Sequence, residues 1–299
     1  MINPAEVDHL KYFITSDVYN TWGINVTTAG FEYMRTRDDD PNFAKHPSKY
    51  SFKSSQGRVL NEFQIIYIVE GRGVFKSNSC NTTQIHAGTM FLIFPGEWHS
   101  YYPDPTVGWK SYWIGFEGPI MDERLKANYF SKKECICHIG ISETITNLYK
   151  EILKIASIDK VGSQNLISSI ALHILGHFYY KNLNYTENSS TGIIDKLNKS
   201  RIIMRENIAN KIIFEDLVKE LGVGYSWFRR MFKKYEGISP AQYLIQLRMI
   251  KIRELLTTTN LSISEIAYQI GLESKSQLST FFKKYEGISP SEFRKANEA

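Results

Sequence analysis

The chain has 299 residues, 42% hydrophobic and 13% aromatic, which is material for packed cores and for two domains, so disorder is not the default. It contains no apolar run long enough to cross a membrane, and MINPAEVDHLK lacks the basic and apolar blocks of a signal peptide, so a cytoplasmic protein with no membrane partner is expected. Residues 194–299 hold 18 Lys and Arg against 12 Asp and Glu, a net of +6, whereas the first 193 hold 18 against 19, a net of −1.

A basic half joined to a nearly neutral half is the electrostatic footprint of a nucleic-acid-binding segment attached to something else. The three cysteines, Cys80, Cys135 and Cys137, are too few for a disulfide framework or a closed zinc site. Cys135, Cys137 and His138 lie close enough in sequence to raise a metal question, with reduced thiols as the alternative; no metal or cofactor is expected.

The first 56 residues are the least patterned. They mix Tyr12, Phe13, Tyr19, Trp22, Phe31 and Tyr33 with a charged stretch, RTRDDDPNFAKHP, that reads as a loop. From 58 to 116 the period becomes that of strands. FQIIYIVEGRGVFKS reads as a β-rich run, a turn at Gly71, Arg72 and Gly73, and a returning strand. HAGTMFLIFPGEWHSY reads as a turn at Ala87 and Gly88, a buried strand and a turn at Pro95 and Gly96, and SYWIGF at 111–116 adds another strand. Short strands with Gly and Pro turns and no helices between them indicate an antiparallel β-sandwich or barrel. A metal-dependent reaction there would need a cluster of several protein ligands. Only His99, in PGEWH, fits, and residues 62–70 carry no histidine pair; by itself His99 reads as an ordinary histidine at a strand end.

After Pro119 the pattern becomes helical. Ile145, Leu148, Ile152, Leu153 and Ile155 recur at three-to-four spacing, as do Leu166, Ile167, Ile170, Ala171, Ile174, Leu175 and Phe178. These stripes either cover the sheet or form a contact between two copies of the chain. KNLNYTENSSTG, at 181–192, is polar and without period, and reads as a linker over 181–193 between a domain at 1–180 and another at 194–299.

The second domain is organised by a repeat: FKKYEGISP occurs at 232–240 and again at 282–290. Each copy follows a short apolar helix pattern and a glycine: Leu217, Val218 and Leu221 before Gly222, then Ile266, Ala267 and Ile270 before Gly271. The helices that follow bury Phe228, Phe232 and Tyr235 in the first unit and Leu278, Phe282 and Tyr285 in the second. Gly237 and Gly287 stop these helices, and the Ser-Pro pairs at 239–240 and 289–290 start the next with an N-cap and a first-turn proline. A second helix with one buried face and one basic or amide-bearing face, after a short helix and a turn, suits a DNA major groove.

With these motifs, residues 194–299 resemble the AraC/XylS family of bacterial transcription regulators, including the connecting helix PAQYLIQLRMIKIRELL at 240–256 and the closing SPSEFRK. One helix-turn-helix pattern would be a weak signal. Two, joined by a long helix and ending in the same nonapeptide, are specific. The order of the strands, with GRG after one and AGTMFLIFPGEWH later, is similar to the cupin sensor domain of sugar-responsive members. The fold class expected is therefore α+β and multidomain, a cupin-like β-sandwich with helices followed by an all-α double helix-turn-helix.

The resemblance also implies a function: sequence-specific binding to double-stranded promoter or operator DNA, controlled by a small effector, a sugar or oligosaccharide, in a homodimer, with RNA polymerase open as a further partner. The pocket positions of an arabinose-responsive member fall on His99, Tyr101 and Trp113, and on Arg58, where the spacing to the GRG motif differs. Ser111 stands where that relative has a histidine. An indole can stack on a sugar ring while Arg, His and Tyr supply directional hydrogen bonds to hydroxyls, although core packing is the rival role for Trp113. A leading segment folding over the effector is a further family feature. On the DNA side, Ser226, Arg229, Arg230 and Lys233 are expected on the exposed face of the first unit, Arg230 being where the family commonly places a base-reading arginine. Thr280 takes the matching place in the second unit, which leaves Ser276 and Gln277 as readers and Lys275, Lys283 and Lys284 as phosphate contacts. Two alternatives are a partner-driven regulator without ligand and a cupin enzyme fused to a DNA-binding domain.

Overall fold

The structure, a computed structural model, describes residues 9–14, 20–34, 56–184, 191–210 and 212–297; the expected loop RTRDDDPNFAKHP, at 35–47, lies outside them. The chain divides into two compact units, 1–186 and 187–299. In the first, β1 (His9–Tyr12), β2 (Asn25–Met34), β3 (Arg58–Val59), β4 (Phe63–Ser77), β5 (Thr83–His86), β6 (Thr89–Ile93), β7 (Trp98–Pro103), β8 (Trp109–Glu117) and β9 (Ile136–His138) pair antiparallel throughout. One layer runs β1-β2-β8-β4-β6-β9 and the other brings β3, β7 and β5 onto β4. This is the cupin-like β-sandwich that the strand pattern implied.

One element differs from the sequence reading. Gly71, Arg72 and Gly73 form no turn; β4 continues through them as a single 15-residue strand. Its first half pairs with β6 and β8 and its second with β5 and β7, so the glycines serve a passage between layers rather than a reversal. The physical reason is close approach. Gly71 has φ +83°, and a Cβ there would overlap the carbonyl oxygen of Gly108, while one on Gly73 would overlap that of Tyr102. A bulge between Ile68 and Glu70 adds to the bend.

Three helices, α1 (Pro119–Lys126), α2 (Glu143–Ile158) and α3 (Ser163–Asn184), accompany the sheets. The ring of Tyr149 in α2 sits 6.2 Å from that of Tyr67 and 5.6 Å from that of Tyr112, and its hydroxyl donates to the Ile65 carbonyl at 3.3 Å. Gln164 in α3 donates to the Val26 carbonyl at 2.7 Å. Tyr67 and Tyr112 therefore mark the helix-covered faces of β4 and β8. By the two-residue alternation of a strand, Gln64 and Ile66, with Ser111, Trp113 and Gly115, face the sandwich interior. Most of the helical apolar stripes, including Ile145, Ile152, Ile167, Ile170, Ile174, Leu175 and Phe178, are buried within this domain. The stretch expected as a linker, 181–193, meets helix at both ends: α3 continues to Asn184 and α4 begins at Thr191, with 185–190 outside the described residues.

The second unit comprises α4 (Thr191–Glu206), α5 (Phe214–Glu220), α6 (Tyr225–Glu236), α7 (Pro240–Thr258), α8 (Ile263–Gln269), α9 (Lys275–Glu286) and α10 (Pro290–Asn297). The sequence repeat is a structural repeat. Phe232 packs edge-on against Tyr243 and Phe282 against Phe293, both at 5.3 Å. The glutamate of each nonapeptide is held by an arginine of the preceding long helix, Glu236 by Arg201 at 3.3 Å and Glu286 by Arg253 at 2.6 Å. Ser239 caps α7 in a capping box with Gln242, and the Ser289 hydroxyl accepts from the Glu292 amide at 3.3 Å. Each unit has its own core, around Phe228 and Phe232 or around Leu278 and Phe282, and α7 serves both, giving Leu244 to the first and Met249, Ile252, Leu255 and Leu256 to the second. Tyr285, expected on the buried face, is instead 43% exposed. At Gly271, φ is +74° and a Cβ would overlap the Ala209 carbonyl, so that turn lies close against the loop after α4.

Candidate effector pocket and nucleic-acid interface

In the β-sandwich, Arg58 on β3 lies directly opposite His99 on β7, and Tyr101, two residues on, shares the face of His99. The short β3–β7 pairing thus brings together three of the expected pocket residues. Arg58 donates from Nη2 to the Tyr101 hydroxyl at 2.8 Å and to Gln64 Oε1 at 3.3 Å, and from Nε to His99 Nε2 at 3.3 Å. The His99 and Tyr101 rings are parallel to within 6°, with centroids 6.2 Å apart. Gln64 Nε2 passes the network to Glu62 Oε1 at 3.0 Å, where Thr28 also reaches at 3.5 Å. Glu62, Gln64, Thr28, His99 and Ser111 are all buried. A polar cluster this deep in an otherwise apolar sandwich is the usual content of a small-molecule site.

Trp113 stands apart from that cluster. It lies opposite Ile66 and Gly30, half-buried, on the interior face that it shares with Trp109, whose ring is 6.1 Å from Tyr101. Among the described residues no ring contact or hydrogen bond joins Trp113 itself to Arg58, His99 or Tyr101. Glu62, Gln64 and Thr28 were not picked out from sequence. The available signal was Gln64, a lone polar residue on a continuous apolar strand (FQIIYIV), since a buried amide has to be partnered.

His99 is neutral in this setting. Burial first, and then the charge of Arg58, push its pKa down to about 4. Its Nε2 accepts from Arg58, so Nδ1 carries the proton and donates to the Glu97 carbonyl at 3.0 Å. Because the folded pKa is below the ordinary value of 6.5, the unfolded chain binds the extra proton between pH 6.5 and about 4. Stability falls as pH drops through that window, by on the order of 3 kcal/mol for this group. Urea unfolding of the wild type and His99→Gln at a series of pH values checks this: the variant is expected to show a flatter dependence between pH 4 and pH 6.5, and equal slopes would contradict it.

In the second unit, α6 and α9 are the helices that follow each turn. Ser226, Arg229, Arg230 and Lys233 are exposed on α6, and among the described residues neither arginine enters an ion pair. Lys275, Ser276, Gln277, Thr280, Lys283 and Lys284 are exposed on α9. The Lys284 ammonium sits 5.5 Å from the Tyr285 ring centroid, and the Lys234 ammonium 5.3 Å from that of Tyr235. Gln277 is engaged locally: its Oε1 accepts from the Glu273 amide at 3.0 Å and its Nε2 donates to Glu273 Oε2 at 3.3 Å. Its backbone amide in turn donates to the Ser274 hydroxyl at 3.2 Å, which makes Gln277 part of the helix cap.

Cys135 and Cys137 are buried and their thiols are raised by burial, Cys137 to about 12. Among the described residues no group of three His, Cys, Asp or Glu is placed to hold a metal ion, and no helix is long and apolar enough to cross a membrane.

Comparison with known proteins bears on both units. Residues 29–175 match the family described as AraC-like ligand binding domain and residues 217–296 that described as helix-turn-helix domain. The chain is similar to the Msm operon regulatory protein of Streptococcus mutans, at 25% identity over 93% of this chain and 97% of that one. It is similar to the raffinose operon transcriptional regulatory protein RafR of Pediococcus pentosaceus, at 27% identity over 77% and 83% of the two chains. The lactose operon transcription activator of Staphylococcus xylosus is 27% identical over 74% and 78%.

Proposed function

Since the chain belongs to the AraC family of DNA-binding transcriptional regulators, with a ligand-binding domain ahead of its helix-turn-helix domain, we propose that a sugar or oligosaccharide held inside the β-sandwich controls it. The observation that carries this reading is the Arg58 network. Buried His99, Gln64 and Glu62 and half-buried Arg58 and Tyr101 form a mutually oriented set of donors and acceptors suited to vicinal hydroxyls. Trp113 supplies an apolar ring on the same interior face. The raffinose and lactose operon regulators among the relatives support a carbohydrate over other small molecules. No bond is made or broken; binding alone changes how two DNA-binding domains are presented to an operator. The test is thermal unfolding and tryptophan emission of the full chain against a carbohydrate panel that includes raffinose and lactose. At least one sugar is expected to raise the unfolding temperature with concentration, the stabilisation being about 2.7 kcal/mol at a hundredfold excess over Kd, and to alter emission. If the whole panel leaves both readouts unchanged, the reading fails in favour of partner-driven regulation.

The working unit in this proposal is a cytoplasmic homodimer formed at the corner between α2 and α3. Ile158 and Leu166 stay 53% and 51% exposed there, beside Val161, after the other apolar side chains have packed on the sheet. Sedimentation of the full chain at micromolar concentration is expected to give the dimer mass, and Ile158→Glu with Leu166→Glu the monomer. A monomer in the unsubstituted chain would assign these helices to covering the sheet alone.

A further inference from the structure

On α3, one turn beyond Ser169, which accepts a hydrogen bond from the Trp22 indole at 3.2 Å, His173 and His177 stand at positions i and i+4. That spacing puts both on one helical face. Their rings are 4.8 Å apart between centroids and 23° from parallel. His173 is exposed and His177 half-buried, so the pair opens to solvent on one side and is backed by the domain on the other. His177 Nε2 is buried without a hydrogen-bond partner among the described residues. Two other histidines of the domain are partnered: His99 bonds through both nitrogens, and His138 Nδ1 lies 3.4 Å from Thr89 Oγ1. A buried ring nitrogen left without a partner is costly unless something occupies it.

We propose that His173 and His177 form a transition-metal site on α3, binding one divalent ion of the Cu2+, Zn2+ or Ni2+ class through one nitrogen of each ring, with water completing the coordination. Two imidazoles at i and i+4 are the helical pair that holds zinc in H-E-x-x-H sites, and imidazole suits all three metals. Metal–nitrogen bonds of about 2.0–2.1 Å require the two donor nitrogens to lie roughly 3 Å apart. Rings with centroids at 4.8 Å reach this by rotation about their terminal torsions, which are broad in histidine. Lys181, one further turn along, adds positive charge. The affinity therefore falls short of a four-ligand structural site, and Cu2+, the strongest binder of the series, is the appropriate probe.

The experiment uses untagged full-length protein stripped with a chelator and titrated with Cu2+, bound metal being followed by calorimetry and its ligands by electron paramagnetic resonance. One Cu2+ per chain is expected, with the signature of two coordinated imidazole nitrogens. His173→Gln and His177→Gln should each weaken binding about tenfold or more, the scale on which even outer partners of a metal ligand act. His86→Gln and His138→Gln should leave it unchanged. No stoichiometric binding, binding that survives in the double variant His173→Gln/His177→Gln, or a spectrum without coordinated nitrogen overturns the proposal. The site shares no residue with the sugar pocket, so its failure leaves that reading untouched.

Discussion

Replacing Arg230 with alanine is expected to weaken operator binding by about 1–3 kcal/mol, which is roughly five- to 150-fold, and to relax base preference in one of two recognised boxes. The warrant is geometric. Arg230 projects from the exposed face of α6, whose other face is anchored by Phe228 and Phe232, and among the described residues no acidic side chain holds it. An arginine so placed can make the bidentate contact to guanine O6 and N7. Because α7 contributes to the cores of both units, α6 and α9 are held on one scaffold, and a single protomer should protect two short boxes about one helical turn apart. The boxes should not be read equally. Thr280 occupies the place in α9 that Arg230 has in α6, and Gln277 is engaged in its own helix cap. Base information should therefore concentrate in the box read by α6. Lys284→Ala provides the contrast: it should weaken all sequences alike and flatten the dependence of affinity on salt. Site selection with randomised operators decides the matter, and equal information in both boxes, or an unaltered preference in the Arg230 variant, would refute this division of labour.

Removing the Arg58 side chain is expected to reduce saccharide affinity about tenfold to a hundredfold. Arg58 is the hub of the interior network, donating to His99, Gln64 and Tyr101 within 3.3 Å. Charge-assisted hydrogen bonds of this kind each contribute about 1.5–3 kcal/mol when they are lost. Trp113→Ala should cost less, about tenfold, because it removes a stacking face and leaves the polar set in place. Calorimetric titration of each variant with the sugar identified from the panel measures both. Unchanged affinity in a folded Arg58→Ala protein would move the ligand away from this end of the sandwich. An equal loss in both variants would show that stacking and hydrogen bonding contribute alike.

How much of this was legible beforehand depends on the range of the interactions involved. In residues 191–297 nearly everything could be read from sequence, because a helix is specified by neighbours three and four residues away and its ends by single residues. The nonapeptide at 232–240 and 282–290 announced the duplicated units, and its glycines, serines and prolines marked the helix boundaries that the structure shows. What it left undecided were contacts across the repeat: the ion pairs of Arg201 and Arg253 with the two glutamates, the exposure of Tyr285, and the engagement of Gln277 by Glu273.

In the β domain the local signal identified strands but not their partners. The GRG segment reads as a reversal by the ordinary chemistry of turns, and only the carbonyls of Gly108 and Tyr102, 37 and 29 residues further along from Gly71 and Gly73, show why a bent, continuous strand needs those glycines. The pocket is a stronger case. Arg58, Gln64 and His99 come from three strands spread over 42 residues, and the β3–β7 pairing, with β4 paired to β6 and β8 at Gln64 and to β7 at Ser77, brings their side chains together. Composition and period thus determined the two kinds of domain and the helix-turn-helix repeat. Tertiary pairing decided which polar side chains meet, because a strand's partner is set by the hydrophobic burial of the whole sheet and not by any property of the strand itself.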